Sequence, residues 1–265
     1  MPMPPDEGDE SQHPLAGMLG TVHAELRRIE QMLGSEVADA RAMEERLRPA
    51  WRRATDGEHR IPVAAAVAAA IALQLLLPDR LVIHPSWLLP TLEGLLMIGL
   101  IAANPKRMNR TSVTLRSASV TLIALISLAN AWSSAELISG IVNGTSGDNA
   151  SVLLARGASI YLTNIIVFAL WYWEWDRGGP VARAQGARPH PDFLFPQMVQ
   201  SGIAPAEWRP NFIDYLYVSF TNASAFSPTD TMPLSRWAKM LMLVQASVAL
   251  LTVAFILARA VNILK

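Results

Sequence analysis

The chain has 265 residues, of which 51% are hydrophobic and 17% charged, and its 22 basic residues balance 22 acidic ones. Zero net charge argues against nucleic acid as a partner, and the absence of cysteine excludes disulfides and cysteine metal sites. The apolar residues form long uncharged blocks, which predicts an all-α, polytopic transmembrane protein surrounded by a lipid bilayer.

The first segment, residues 1–13, begins with the sequence MPMPPDEGDE. It is acidic and rich in proline, and no apolar run follows it, so it is typical of neither a signal peptide nor a transit peptide. This composition predicts a disordered N-terminus.

Residues 14–60 are predicted to form a cytoplasmic helix with an apolar seam. The seam alternates steps of four and three residues through Leu15, Leu19, Val22, Leu26, Ile29 and Leu33. Two interpretations fit this pattern. In the first, the helix lies singly on the protein or membrane surface. In the second, several copies of the chain associate through this helix as a short coiled coil.

Four apolar blocks follow within residues 61–177, at 61–77, 87–103, 113–142 and 152–175. Each is long enough to cross a hydrocarbon core of about 30 Å. Basic residues cluster before the first block, after the second and after the fourth, at Arg48, Arg52, Arg53, Arg60, Lys106, Arg107, Arg110, Arg116, Arg177, Arg183 and Arg188. By the positive-inside rule, this pattern predicts a multi-pass protein with a cytoplasmic N-terminus. The composition is typical of bacterial proteins, so we expect it in the bacterial cytoplasmic (inner) membrane.

Residues 178–210 are rich in glycine and proline and show no periodic pattern. We therefore predict a cytoplasmic loop there. It is the longest unpatterned connection in the chain.

Residues 211–265 contain a short apolar piece, a polar break and a long apolar helix. The order of these parts resembles the pore module of potassium channels, in which a pore helix precedes a filter and an inner helix. The matching residues are the Y-x-S-F of Tyr217, Ser219 and Phe220, a filter hydroxyl at Ser224, and the D-x-x-P of Asp230 and Pro233. The resemblance implies a homo-oligomer that passes a small cation.

The filter itself departs from that family. Potassium channels carry T-V-G-Y-G there, and the glycines let successive carbonyl oxygens face the ion. This chain has Ala225, Phe226, Ser227, Pro228 and Thr229 instead, with no glycine and a proline that fixes φ. A potassium filter cannot be built from these residues.

From residue 61 onward the chain is similar to a family of uncharacterised bacterial membrane proteins. These proteins share four apolar segments followed by such a degenerate pore-like module. That family carries no established activity to transfer.

The direction of the segment 212–226 conflicts with the potassium-channel resemblance. After four spans and a cytoplasmic N-terminus the segment starts in the cytoplasm, whereas a potassium-channel pore helix enters from outside. Three alternatives remain: a short fifth span, an element that re-enters from the cytoplasmic face, or one earlier block that does not cross. Fifteen residues of helix reach only about 22 Å, which favours a re-entrant or broken element.

Polar residues at the break are the candidate lining of a pore constriction. The candidates are Asn222, Ser224, Ala225, Phe226, Ser227, Pro228, Thr229 and Asp230. In several copies Asp230 would form a ring that favours cations; in the alternative, the same groups form a hydrogen-bonded turn capped by Asp230. Glu93 and Gln245 are further candidates because polar groups are costly inside a bilayer.

No catalytic constellation is visible, since the five histidines are scattered over loops and the N-terminal helix. We expect no enzyme activity, no metal site and no cofactor. Two functions remain. One is an oligomeric cation channel whose selectivity is not of the potassium type, and the other is a non-conducting membrane scaffold or sensor that retains the pore fold.

Overall fold

The computed structural model describes residues 49–103, 108, 112–145, 149–199, 202–224 and 230–263, with isolated positions between 25 and 43. The chain divides into two compact units, Met1–Pro49 and Ala50–Lys265. The described positions between residues 25 and 43 of the first unit are helical and exposed. The predicted disorder of residues 1–13 and most of the predicted heptad seam lie outside the described residues.

The second unit is built mainly of helices, so the all-α prediction is confirmed at this coarse level. Two-residue strands β1 (Phe193–Leu194) and β2 (Met232–Pro233) form a small antiparallel ladder that pairs Phe193 with Pro233 and Leu194 with Met232. The helices are α1 (Ile61–Leu75), α2 (Leu88–Ala103), α3 (Val113–Val142), α4 (Ala150–Trp175), α5 (Pro180–Ala184), α6 (Pro196–Val199), α7 (Phe212–Ser224) and α8 (Arg236–Ile263).

Three of these helices are long and apolar enough to cross a membrane: α3, α4 with the 3-10 turn that follows it, and α8. Helices α1 and α2 are apolar but have only 15 and 16 residues. The predicted count of four spans before residue 177 is therefore not confirmed by helix length. Within the described residues, only α3 and α4 of the four predicted spans are helices long and apolar enough to cross a membrane.

Local sequence explains where the long helices begin. The Ser112 Oγ accepts a hydrogen bond from the Leu115 amide, and the Asn149 Oδ1 accepts one from the Val152 amide. Both side chains satisfy an amide that the first helical turn leaves without a partner.

Two clusters of buried side chains mark the ends of the helix bundle. At one end, Trp173 and Phe212 pack with Phe193, close to Glu58 and Asp176. We call this the basic end, because the arginines after α4 lie there. At the other, which we call the distal end, Leu81, Leu137, Leu153 and Ile256 pack together.

The long helices α4 and α8 connect these ends and pack closely. At Gly157 an added Cβ would overlap the Ile256 side chain, so the absence of a side chain on α4 lets α8 approach. Trp237, at the start of α8, contacts Phe193 and Trp175 at the basic end. Helix α8 therefore runs the whole length of the bundle.

Helix α7, in contrast to α8, extends along only part of the length of the bundle. Its first residue, Phe212, packs edge-on against Trp173 with ring centroids 6.1 Å apart. Further along, Ser219 donates to the Ile165 carbonyl, and Ala223 packs with Ile165 and Ala249. Ile165 precedes Trp173 by eight residues, about 12 Å along α4, so α7 ends inside the bundle.

The chain then returns to the end from which α7 started. Residues 225–229 lie outside the described part, but β2 follows them and pairs with β1, close to the last turn of α4. Six residue steps from Ser224 to Asp230 can span about 20 Å, enough for the return. Helices α7 and α8 therefore begin at the same end of the bundle.

The segment 178–210, which was predicted to be a loop, contains short helices and a strand in the structure. It contains α5, β1 and α6, and it buries Arg183, Phe193 and Phe195. Sequence periodicity misses it because each element has five residues or fewer, and its order comes from tertiary contacts.

Candidate functional site

The best-defined polar site within the apolar bundle joins α4, α7 and α8 around Gln245, whose side chain is fully buried. The Gln245 Oε1 accepts hydrogen bonds from the Tyr172 hydroxyl at 2.5 Å and from the Asn222 amide at 2.8 Å. Its Nε2 donates to the carbonyl oxygen and the Oγ of Ser219 at 3.0 and 2.6 Å. We call these four residues the amide cluster.

The amide cluster is also tied to backbone groups of the neighbouring helices. Ser219 Oγ donates to the Ile165 carbonyl at 2.6 Å, and Asn222 donates to the Met242 carbonyl at 2.9 Å. A primary amide offers two donor hydrogens and two acceptor lone pairs. All four positions of Gln245 are thus occupied by partners from the same chain.

The candidate pore residues do not form one group. Asn222 belongs to the amide cluster, whereas Ser224 donates to the Thr221 carbonyl of its own helix at 3.1 Å. The candidates Ala225, Phe226, Ser227, Pro228 and Thr229 lie outside the described residues. Asp230 is exposed, two residues before β2 and hence near the basic end.

The two intramembrane candidates have different surroundings. Gln245, which the sequence analysis treated as a single polar residue, is paired with Asn222. Glu93 on α2 is completely buried, and no described residue hydrogen-bonds either carboxylate oxygen. An ionised carboxylate without partners is very costly to bury, so Glu93 differs from Gln245, whose polar atoms all have partners.

A second polar site, which the sequence analysis did not identify, fixes the basic end. The Glu58 Oε1 accepts from Arg183 Nε at 3.0 Å and from its Nη2 at 2.8 Å, and the Oε2 accepts from the Trp173 indole at 2.6 Å. Arg183 also donates to the carbonyls of Trp173 and Asp176 at 2.6 and 3.0 Å. Burial alone would lower the pKa of Arg183, but Glu58, Tyr215 and Asp176 raise it above its ordinary value.

Asp176 connects this arginine site to α7. Its carboxylate is fully buried and accepts hydrogen bonds from the amides of Asp192 and Phe193 at 2.8 and 3.2 Å. It also accepts from the Tyr215 hydroxyl at 2.6 Å. Together with the two hydrogen bonds that Arg183 donates to Glu58, these contacts hold α4, α5, β1 and α7 together; we call them the charge clamp.

Asp192 extends the clamp to α8. Its carboxylate accepts from the Arg177 amide at 2.8 Å and from the Trp237 indole at 2.9 Å, and its carbonyl accepts from the Leu234 amide at 2.8 Å. Arg177 has φ of 53°, unusual for a residue with a side chain. Hydrogen bonds from Arg177 to the carbonyls of Trp51 and Arg188 hold that conformation.

A weak sequence signal for the clamp exists. Glu174, Asp176 and Arg177 adjoin one another at the end of an apolar block, where charge must be paired or solvated. From the sequence alone, the arginines predict only which side of the membrane this part of the chain faces. The acidic partners of these arginines are Glu58 and Asp192, which lie far from them in the sequence. No periodic pattern in the sequence predicts such pairs.

Within the described residues, no group of three His, Asp or Glu side chains could hold a metal ion. No protein-family model, curated protein or solved structure matches the chain. The resemblances to the potassium-channel pore module and to the uncharacterised membrane family therefore stay predictions.

Proposed function

We propose that the chain is a multi-pass membrane protein that acts as a scaffold or sensor and does not conduct ions along α7. The observation that carries this proposal is the occupancy of the amide cluster. A cation in a pore replaces its hydration shell with protein oxygens. The Gln245 Oε1 on α8 already accepts from Tyr172 and Asn222, so it offers no free lone pair to an ion.

The path of α7 also supports this function. A potassium-channel pore helix enters from outside, whereas α7 starts at the basic end, beside the arginines that follow α4. The positive-inside rule assigns that end to the cytoplasm. The proposed topology therefore has five spans, α1 to α4 and α8, with α7 re-entrant from the cytoplasmic face.

Single cysteines test this topology, since the chain has none of its own. We expect a membrane-impermeant maleimide to label His190→Cys and Asp230→Cys from the cytoplasmic side, and Asn143→Cys and Asn262→Cys from the other. All four positions are exposed. If α7 crossed completely, Asp230→Cys and Asn262→Cys would exchange sides, so labelling of Asp230→Cys with Asn143→Cys would contradict the re-entrant path.

Ion flux into liposomes tests the absence of conduction. Purified protein is reconstituted and challenged in turn with gradients of potassium, sodium, protons and chloride. The expected result is flux equal to that of empty vesicles, with an added ionophore showing that the vesicles are sealed. Selective flux that scales with protein content would overturn the scaffold or sensor proposal.

A cation channel formed by several copies is the second candidate, and one feature of α7 favours it. The helix ends inside the bundle, where its terminal carbonyls carry partial negative charge toward a cation. Ile213, Tyr217 and Phe220 lie along one side of α7 and are 55%, 54% and 52% exposed, an apolar face that other copies could cover. This candidate predicts cation flux that Asp230→Asn alters.

A further inference from the structure

An apolar cavity at the basic end lies between the start of α1, the start of α3, the last turn of α4 and α5. It has a volume of about 310 Å³. This is within the range of pockets that hold small organic ligands. Its walls are mostly apolar, with Leu100, Val113, Trp173 and Val181 among them. The amide cluster and α7 do not contribute to it.

Charged side chains line the same cavity. Two arginines, Arg60 and Arg116, face one buried carboxylate, Glu174, which accepts a hydrogen bond from Ser119 at 3.0 Å. The cationic groups thus outnumber the anionic one. The cavity favours a ligand with negative charge.

One of the arginines has an unused donor. The Nε of Arg60 is buried, and no described residue accepts a hydrogen bond from it. Burial lowers the pKa of Arg60, and Glu174 opposes that shift. Leaving such a charged donor without a partner costs free energy, and an anionic ligand in the cavity would remove that cost.

A narrow, mainly apolar crevice of about 40 Å³ continues from the cavity into the bundle, with room for only a short part of an acyl chain. It shares Arg60, Leu100 and Trp173 with the cavity and passes Ala64 and Leu122 on the way in. A charged mouth at the end of a helix bundle with an apolar crevice behind it matches an amphiphile. The head would lie at the depth of the membrane surface and the tail among the helices.

We propose that this cavity binds an anionic phospholipid from the surrounding leaflet, with its phosphate on Arg60 and Arg116 and part of one acyl chain in the crevice. The position favours a membrane lipid over a soluble anion, because most of the crevice wall consists of apolar side chains such as Val63, Leu122 and Leu170, which suit a hydrocarbon tail. The proposal does not depend on whether the chain conducts ions.

Lipid binding by the purified full chain tests the proposal, with phosphatidylglycerol, phosphatidylcholine and inorganic phosphate as probes and native mass spectrometry as readout. The wild-type chain is expected to retain phosphatidylglycerol in preference to phosphatidylcholine. Arg60→Gln with Arg116→Gln should weaken phosphatidylglycerol binding at least tenfold, as expected from losing charged hydrogen bonds. Arg53→Gln is the matched control, since Arg53 lies near the same end but does not line the cavity.

Two further variants make the outcome decisive. Arg116→Gln alone changes an exposed side chain, so it keeps the fold if the double variant does not, and it should still weaken binding. Ala64→Phe should obstruct the crevice and weaken binding of long-chain phosphatidylglycerol but not of its dihexanoyl form. Unchanged binding in the arginine variants, or displacement of the lipid by inorganic phosphate alone, would overturn the proposal.

Discussion

Replacing Arg183 with methionine is expected to destabilise the protein by about 3 to 5 kcal/mol, the cost of removing one partner from a buried ion pair. The Glu58 carboxylate would lose both bonds from the guanidinium while remaining only 18% exposed. The carbonyls of Trp173 and Asp176 would lose their donor as well. The melting temperature of the detergent-purified protein, followed by tryptophan fluorescence, should fall by on the order of 10 °C.

Two control variants distinguish the loss of the buried ion pair from a general loss of positive charge. Arg53→Met removes an arginine from the same end, where the ion pair with Glu207 is 3.6 Å long and the two side chains are 34% and 72% exposed, so it should destabilise the protein less than Arg183→Met does. Adding Glu58→Gln to Arg183→Met should restore part of the lost stability, because it removes the unpaired negative charge of Glu58. Equal melting temperatures for Arg183→Met and Arg53→Met would show that the clamp does not stabilise the fold.

Replacing Gln245 with leucine is expected to lower the free energy of unfolding by about 2 to 3 kcal/mol. The reason is that buried polar groups on α4 and α7 lose their hydrogen-bond partner. The Tyr172 hydroxyl loses its acceptor at 2.5 Å, and Asn222 keeps only its bond to the Met242 carbonyl and a long contact with Tyr172. Ser247→Leu on the same helix is the control, since Ser247 is exposed and bonds only within α8. Thermal melting of both variants measures the difference.

A double variant shows whether the amide cluster acts as a unit. Asn222→Leu combined with Gln245→Leu should cost less than the sum of the single changes, because replacing both partners of a hydrogen bond by apolar groups is nearly neutral. Strictly additive losses would mean that the two amides stabilise the bundle independently. A Gln245→Leu protein as stable as the wild type would remove the main support for the non-conducting proposal.

Much of the fold follows from hydropathy. The apolar blocks predicted at 61–77, 87–103, 113–142 and 152–175 correspond to α1 through α4, with ends that agree to within two residues. Long uncharged runs have few alternatives to a helix, because every backbone polar group in an apolar environment must be satisfied within its own segment. The charge pattern likewise placed Arg177 and Arg183 at one common end of the bundle.

The partners within the sites could not be predicted in the same way. In the sequence, Gln245 stands out only as a polar residue within an apolar run, and its pairing with Asn222 depends on how α7 and α8 cross. Arg183 served only as a marker of membrane side, because its partner Glu58 is 125 residues away. Such contacts follow from tertiary packing, and one sequence contains no periodic signal for them.

The return of the chain after α7 constrains the order in which this protein can be made. Translation delivers segments from the N-terminus onward, so α7 leaves the ribosome before α8, which carries Met242 and Gln245. Its Ser219 and Asn222 can reach those partners only after α8 has been synthesised and inserted. The hydrogen bonds that join Ser219 and Asn222 to α8 therefore form late in assembly, after α8 has packed into the bundle.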